Sequence, residues 1–269
     1  MTTFSADWLA LREPYDARAR NPVVLDAVVA SAKGCLAMRI VDLAAGIGST
    51  PRALAPRLAA RQVWRLVDNN LELLTHASKL TRSGAFAIEA CALDLNCGLQ
   101  DALNGPIDLI TAFALLDLVS ESWLARLVGE IVRRSIPIYA TLSYDGRADI
   151  SPADPFDSAV FTAVNTHQRT DKGFGPALGP AAAYAAIAQL ESMDYFLVHG
   201  ASDWVLGPDD REMQMKIFAS WASAACGTGG LSHSDMVGWM ARRRAAVIAG
   251  CSSIRVGHVD FFATPVRTL

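Results

Sequence analysis

Nothing in this sequence is spaced to hold a structural metal or a disulfide framework. The five cysteines, Cys35, Cys91, Cys97, Cys226 and Cys251, are odd in number and scattered, and no two form a C-x-x-C pair. They read as reduced thiols of a cytoplasmic protein. His199, His233 and His258 keep no ligand spacing with acids or cysteines, and His76 reads as structural, so no metal site is expected. Also missing is any run of about 20 uninterrupted apolar residues, which argues against a membrane span. The opening residues, "MTTFSADWLALREPYD", carry acids early and lack a long apolar core, so they do not read as a secretory signal. Positive charge is scarce: the formal net charge is −3, and Arg242-Arg243-Arg244 is the one tight basic cluster. That run fits a solvated helix face or a helix C-terminus. Nucleic acid is not an expected partner, because its footprint needs a concentrated basic face. There is no internal repeat.

What is present is enough apolar material for a sizeable core, with 52% hydrophobic and 19% charged residues in a chain of 269. Short runs rich in branched residues predict strands at 38–43, 62–68, 85–90, 106–113, 136–144, 194–200 and 254–263. Helical patterns fall between them at 51–60, 70–82, 121–134, 181–192, 209–225 and 232–248, and two more precede the first strand near 6–18 and 22–33. Asn21-Pro22 and Gly179-Pro180 put proline where a first helical turn tolerates it. Alternation of strand and helix implies right-handed crossovers. It predicts an α/β, doubly wound, Rossmann-like three-layer sandwich with a mostly parallel sheet. The whole chain, 1–269, is expected to form one domain. N-terminal helices occupy 1–35, and the segment 145–180, rich in Pro, Gly and polar residues, is expected to be a lid insertion carrying one helix at 156–169.

The most constrained stretch is "RIVDLAAGIGSTPRAL", residues 39–54: an apolar strand ending in Asp42, then small residues and glycines, then a helix start. A glycine turn between a strand and a helix lets backbone N–H groups and a close ligand meet. The nicotinamide fingerprint would place a third glycine at position 51, where this chain has Pro51. Two further strands also end in acids, Asp68 in "VWRLVDNN" and Asp94 in "ALDLN". In a parallel sheet the carboxyl ends of strands share one edge, so the three carboxylates are expected to line one crevice.

These motifs resemble those of the class I S-adenosylmethionine-dependent methyltransferases, small-molecule type. The first motif is matched by Asp42-Leu43-Ala44-Ala45-Gly46-Ile47-Gly48, with Ala44 replacing the family's first glycine. "PIDLITAFALLDLVS", residues 106–120, is similar to the fourth motif, and the resemblance covers roughly residues 35–143 well. It implies seven strands with an antiparallel last strand at 254–263, S-adenosylmethionine as cofactor, and transfer of its methyl group to a nitrogen or oxygen of a small-molecule acceptor. It also implies a set of cofactor contacts: Asp42, Ala44, Gly46 and Gly48 at the amino acid end, Asp68 and Asn69 at the ribose, Asp94 and Leu95 at the adenine, and Ala112 and Phe113 near the methionine. Among Arg12, Arg18 and Arg20 of "LREPYDARARNP", Arg18 is the choice for the cofactor carboxylate.

An in-line transfer needs alignment and exclusion of water more than a fixed triad. Asp117 and His167 are the candidate catalytic residues, His167 as a general base titrating near neutrality. Tyr144 and Trp204 are candidates for the acceptor pocket, and "DKGFG", residues 171–175, for either a clamping flap or a plain tight turn. A homodimer is a possible assembly. Two alternatives stay open from the residues alone: a non-catalytic cofactor-binding or regulatory protein of this fold, and an NAD-dependent oxidoreductase.

Overall fold

The computed structural model describes residues 4–58, 61–79 and 86–266. Two helices, α1 (Ala6–Ala19) and α2 (Pro22–Ser31), precede the central strand β1 (Ala37–Leu43). Asn21 starts α2 by accepting from the N–H groups of Val23 and Val24, with Pro22 in the first turn. The chain continues through α3 (Ser49–Leu54), β2 (Arg61–Asp68), α4 (Leu71–Ser78), β3 (Ala87–Ala92), α5 (Leu95–Ala102), β4 (Leu109–Phe113), α6 (Glu121–Arg134) and β5 (Ile138–Ser151). It closes with α7 (Asp157–Gln168), α8 (Ala182–Glu191), β6 (Tyr195–Ala201), β7 (Trp204–Leu206), α9 (Arg211–Gly227), α10 (His233–Ile248) and β8 (Ser253–Pro265).

The sheet runs β3-β2-β1-β4-β5-β8-β6, with the short β7 paired to β8. Neighbours from β3 to β5 are parallel, and β8 lies antiparallel between β5 and β6. The doubly wound sheet with an antiparallel final strand is as expected; the sheet has eight strands rather than seven because of β7. Strand order reverses between β1 and β4, so the crevice of the sheet opens beyond Leu43 and Phe113.

Each face of the sheet buries an apolar layer. On one, Trp123, Leu124, Leu127 and Ile131 of α6 pack with α5 and α8 against Val41, Ile110 and Phe261. These positions recur at helical spacing, between a Ser120 N-cap and Ser135 in the left-handed region. On the other, Val24, Val28, Leu54 and Leu74 pack over Ile40, Trp64 and Leu66. A third cluster gathers α7, α9 and α10 on the extended end of β5, through Trp221, Phe218, Trp239 and Leu142.

Three elements depart from the sequence reading. Residues 145–151 are not loop; they continue β5 against β8, with register irregularities between Ala140 and Ser143 and between Tyr144 and Ala148. The segment expected as a lid therefore begins as sheet, and its helix is α7. The helix α5 and the strand β7 were not anticipated. The predicted helix ends at 59–60 and 80–82, and the start of the strand at 85, lie outside the described residues.

Candidate functional site

At the carboxyl edge of β1, β2 and β4 lies a cleft of about 1020 Å³ of empty space, its open mouth included. The turn after β1 forms its floor. Ala44 (φ 55°) and Gly46 (φ 53°) both sit in the left-handed region, natural for glycine and strained for Ala44. A Cβ on Gly46 would also stand 3.2 Å from Leu9 Cδ1 of α1. Gly46 N–H donates to Asp68 Oδ2 at 2.8 Å, and Asn70 N–H donates to Asp68 Oδ1 at 2.9 Å. The β2 carboxylate thus pins the glycine turn while lining the cleft, and each oxygen keeps a second acceptor site. Asp94 lines the same cleft and caps α5 by accepting from Asn96 N–H at 2.9 Å, with Leu93 and Leu95 beside it.

The opposite wall belongs to α1. Leu9, Arg12 and Asp16 share a helix face and line the cleft. Arg12 Nε donates to Asp16 Oδ2 at 2.9 Å, and Trp204 Nε1 donates to Asp16 Oδ1 at 2.9 Å. The guanidinium lies between two rings, 5.3 Å from the Phe113 centroid and 4.8 Å from that of Trp204. It spends Nε alone on a hydrogen bond; its Nη groups hold no partner among the described residues.

Behind the floor sits a buried polar network. Asp42 is fully buried, accepts from Thr111 Oγ1 at 2.6 Å, and leaves Oδ2 without a partner. Burial pushes its carboxyl up to about 7, against the Thr111 bond and the charge of Arg20. Arg20 itself reaches Thr141 Oγ1 at 3.3 Å and stacks on Phe113 at 5.2 Å.

A scan against protein-family models found no match, and neither did a search of curated proteins. Solved structures do align. A cyclopropane-fatty-acyl-phospholipid synthase-like protein from Lactobacillus casei is similar at 11% identity and a TM-score of 0.54, covering 97% of this chain and 95% of its own. The cyclopropane synthase MmaA2 from Mycobacterium tuberculosis aligns at 11% identity and 0.52, over 97% and 94%. The YcgJ protein from Bacillus subtilis aligns at 14% and 0.50, over 92% and 100%. The fold is that of the class I methyltransferases.

Within this methyltransferase fold the predicted residues divide. Ala44, Gly46, Asp68, Asn69, Asp94, Leu95 and Phe113 come together along the cleft. Asp42 stands one layer behind, Ala112 is buried in the core, and Gly48 (φ 79°) turns the chain into α3. Arg18 is not at the site: it is exposed, stacks on Tyr15 at 4.6 Å and reaches Asp210 at 4.0 Å. Arg12, six residues earlier, takes the place facing the cleft. Tyr144 and Trp204 do not line it either; Tyr144 donates to Asn165 Oδ1 at 2.9 Å, and Trp204 acts from behind through Asp16.

His167 also stands back, 3.3 Å from the Nζ of Lys172, and it is Lys172 that lines the cleft. The "DKGFG" stretch is a tight turn, with Asp171 Oδ1 accepting from Gly173 N–H at 2.6 Å and Gly175 N–H at 3.0 Å. That turn projects Lys172 and Phe174 into the cleft wall, Phe174 resting edge-on against Trp123 at 5.3 Å. Asp16 and Asn70 were missed by sequence reasoning. The Arg12/Asp16 spacing of four was the available signal for the first, since it places both on one helix face. Among the described residues no cluster of His, Cys, Asp and Glu could hold a metal, and no helix is long and apolar enough to cross a membrane.

Proposed function

We propose that this chain binds S-adenosylmethionine in the cleft and directs its methyl group to a small-molecule acceptor. The observation that carries this reading is the pairing of Asp68 and Asp94 with a left-handed glycine at one edge of a doubly wound sheet.

The residues present suit such a ligand. A carboxylate with free acceptor sites is the natural partner of a ribose diol, which offers two O–H donors; Asp68 supplies it. Asp94 would accept from the adenine amino group, with the apolar Leu93 and Leu95 beside the base. The absent side chain at Gly46 leaves the floor open to a close approach. Arg12 has unused Nη donors suited to the cofactor's carboxylate, and Asp42 acts indirectly, through Thr111 and the end of β1. When bound, the cofactor supplies an activated methyl group on a positively charged sulfur. The chain's own contribution is to orient and to exclude water: Phe4, Leu9, Phe113, Leu115 and Phe174 provide apolar walls.

Isothermal calorimetry with S-adenosylmethionine and, separately, NAD tests the reading. S-adenosylmethionine should bind and NAD should not. Asp68→Ala should weaken the former by about 1.5–3 kcal/mol, the cost of a charge-assisted bond. Tight NAD binding alone would overturn the proposal, and binding without turnover of a small-molecule library would favour a regulatory protein.

A further inference from the structure

The cleft wall that carries Phe174 also carries a cation for which the cofactor has no use. Lys172 lines the cleft from a turn tied down on both sides. Asp171 and Pro176 close the turn as an antiparallel bridge, and the next residue, Ala177, bridges Ser120 ahead of α6. Leu178 N–H then donates to the Val119 carbonyl at 2.8 Å. The lysine is thus presented by anchored backbone, which suits a residue that selects a ligand.

Its ammonium is only partly committed. Nζ donates to Thr170 Oγ1 at 2.9 Å and stands 3.3 Å and 3.5 Å from the two ring nitrogens of His167. Burial and the charge of Lys172 push His167 toward its neutral form, whose ring offers one acceptor nitrogen. One of the three N–H donors is therefore left open. Of the two cations lining the cleft, Arg12 has Asp16 at contact, and Lys172 enters no salt bridge among the described residues. Burial works against its charge, and Asp117 supports it electrostatically without an ion pair. A half-buried ammonium in that position gains from an anion placed against it.

Charge and shape together select the occupant. S-adenosylmethionine carries a net positive charge, and with its carboxylate on Arg12 the acceptor end keeps the sulfonium and the lysine unbalanced. A protonated amine would add a third positive charge there, and an uncharged apolar molecule would leave Lys172 as it is. A phosphate dianion would share the cleft with Asp16, Asp68 and Asp94 and have one ammonium to hold it. A single carboxylate fits, and Phe113, Leu115, Leu118 and Phe174 give the rest of such a molecule an apolar bed. Resting on the cofactor reading, we propose that Lys172 determines specificity by holding the carboxylate of an acceptor with an apolar frame, an aryl or acyl acid.

A matched trio tests this by calorimetry: 2-naphthoate, the neutral 2-naphthamide and the cationic 2-naphthylmethylamine, each titrated into the full chain with and without S-adenosylmethionine. The wild type should bind the acid about tenfold more tightly than the amide, and the amine more weakly than either. Lys172→Met keeps an apolar stem, so it should abolish the preference for acid over amide while holding amide affinity within about twofold. Lys172→Arg should restore the preference, and added salt should weaken binding of the acid alone. The acid should bind alongside S-adenosylmethionine. A wild type that binds acid no better than amide, a preference that survives Lys172→Met, or one-for-one displacement of S-adenosylmethionine by the acid would each overturn the proposal. A chain that refuses S-adenosylmethionine yet shows the Lys172-dependent preference keeps the carboxylate subsite and sinks the cofactor assignment. One that binds the cofactor without the preference does the reverse.

Discussion

The chain builds the same three-residue arrangement twice, with opposite outcomes. In the C-terminal helical layer, Arg243 of α10 meets Asp157 of α7, and Trp239 Nε1 donates to the same Asp157 oxygen at 2.9 Å. At the cleft, Arg12 meets Asp16, and Trp204 donates to Asp16, also at 2.9 Å. Arg243 commits both Nη groups: Nη2 reaches both Asp157 oxygens at 2.5 Å, and Nη1 donates to the Pro152 carbonyl at 2.6 Å, while the buried Nε has no partner. Arg12 commits Nε alone. A guanidinium with both Nη groups engaged clamps two helices, while one that engages Nε alone, held between rings with its Nη donors at a cleft, is prepared for a ligand.

The two clusters should therefore fail differently. Arg243→Met leaves Asp157 buried without its counter-ion and should cost about 3–5 kcal/mol of stability, read by urea unfolding, with S-adenosylmethionine affinity little changed in the folded fraction. Arg12→Met should cost less, about 1–3 kcal/mol, because it removes one hydrogen bond where Arg243→Met removes three, and Asp16 keeps the Trp204 donor and the nearby charge of Arg20. Its larger effect should appear in calorimetry as lost ligand affinity. Equal stability losses with unchanged binding for both variants would erase the distinction.

Asp42 sharpens the comparison from the unsatisfied side. Burial pushes its carboxyl from an ordinary 3.8 up to about 7, so the folded protein holds a proton that the unfolded chain gives up. The favourable contribution is complete below about 3.8 and is lost as the pH climbs through about 7. Wild-type stability should thus decline between pH 5 and pH 8 relative to Asp42→Asn, by on the order of 1–3 kcal/mol. An identical pH profile for the two proteins would show that the Thr111 bond and Arg20 already satisfy the ionised group.

These contrasts also mark what the residues disclosed before folding. Asp68, Asp94 and Gly46 were readable because parallel strands bring their carboxyl ends to one edge, whatever the loops do. The helix α5 was hidden by Gly98, whose backbone is non-helical (φ −102°, ψ 20°) and where a Cβ would collide with Leu93 at 2.7 Å. The polar run "DGRADIS" reads as loop, yet it is held as strand by pairing with Arg255, Ile254 and Ser253 of β8, a tertiary partner invisible to local pattern. Lys172 was visible within its turn, but nothing local says that the turn leans on Trp123 and faces the cleft.

The choice between Arg12 and Arg18 turns on helical phase, and it yields the smallest expected effect. Six residues along an α-helix advance the side chain by about 240°, so two arginines of α1 cannot share a face. Leu9, Arg12 and Asp16 point to the cleft; Arg18 points to solvent, 4.0 Å from Asp210 and 62% exposed. Pro14 within the helix and a weak apolar stripe leave that phase unwritten in the sequence. Arg18→Ala should change stability by about 0–0.5 kcal/mol, as exposed pairs do, and leave S-adenosylmethionine affinity within about twofold. A tenfold loss of affinity would mean that α1 rotates on binding to exchange one arginine for the other. The half-used guanidinium of Arg12 would then be a resting arrangement rather than the ligand's partner.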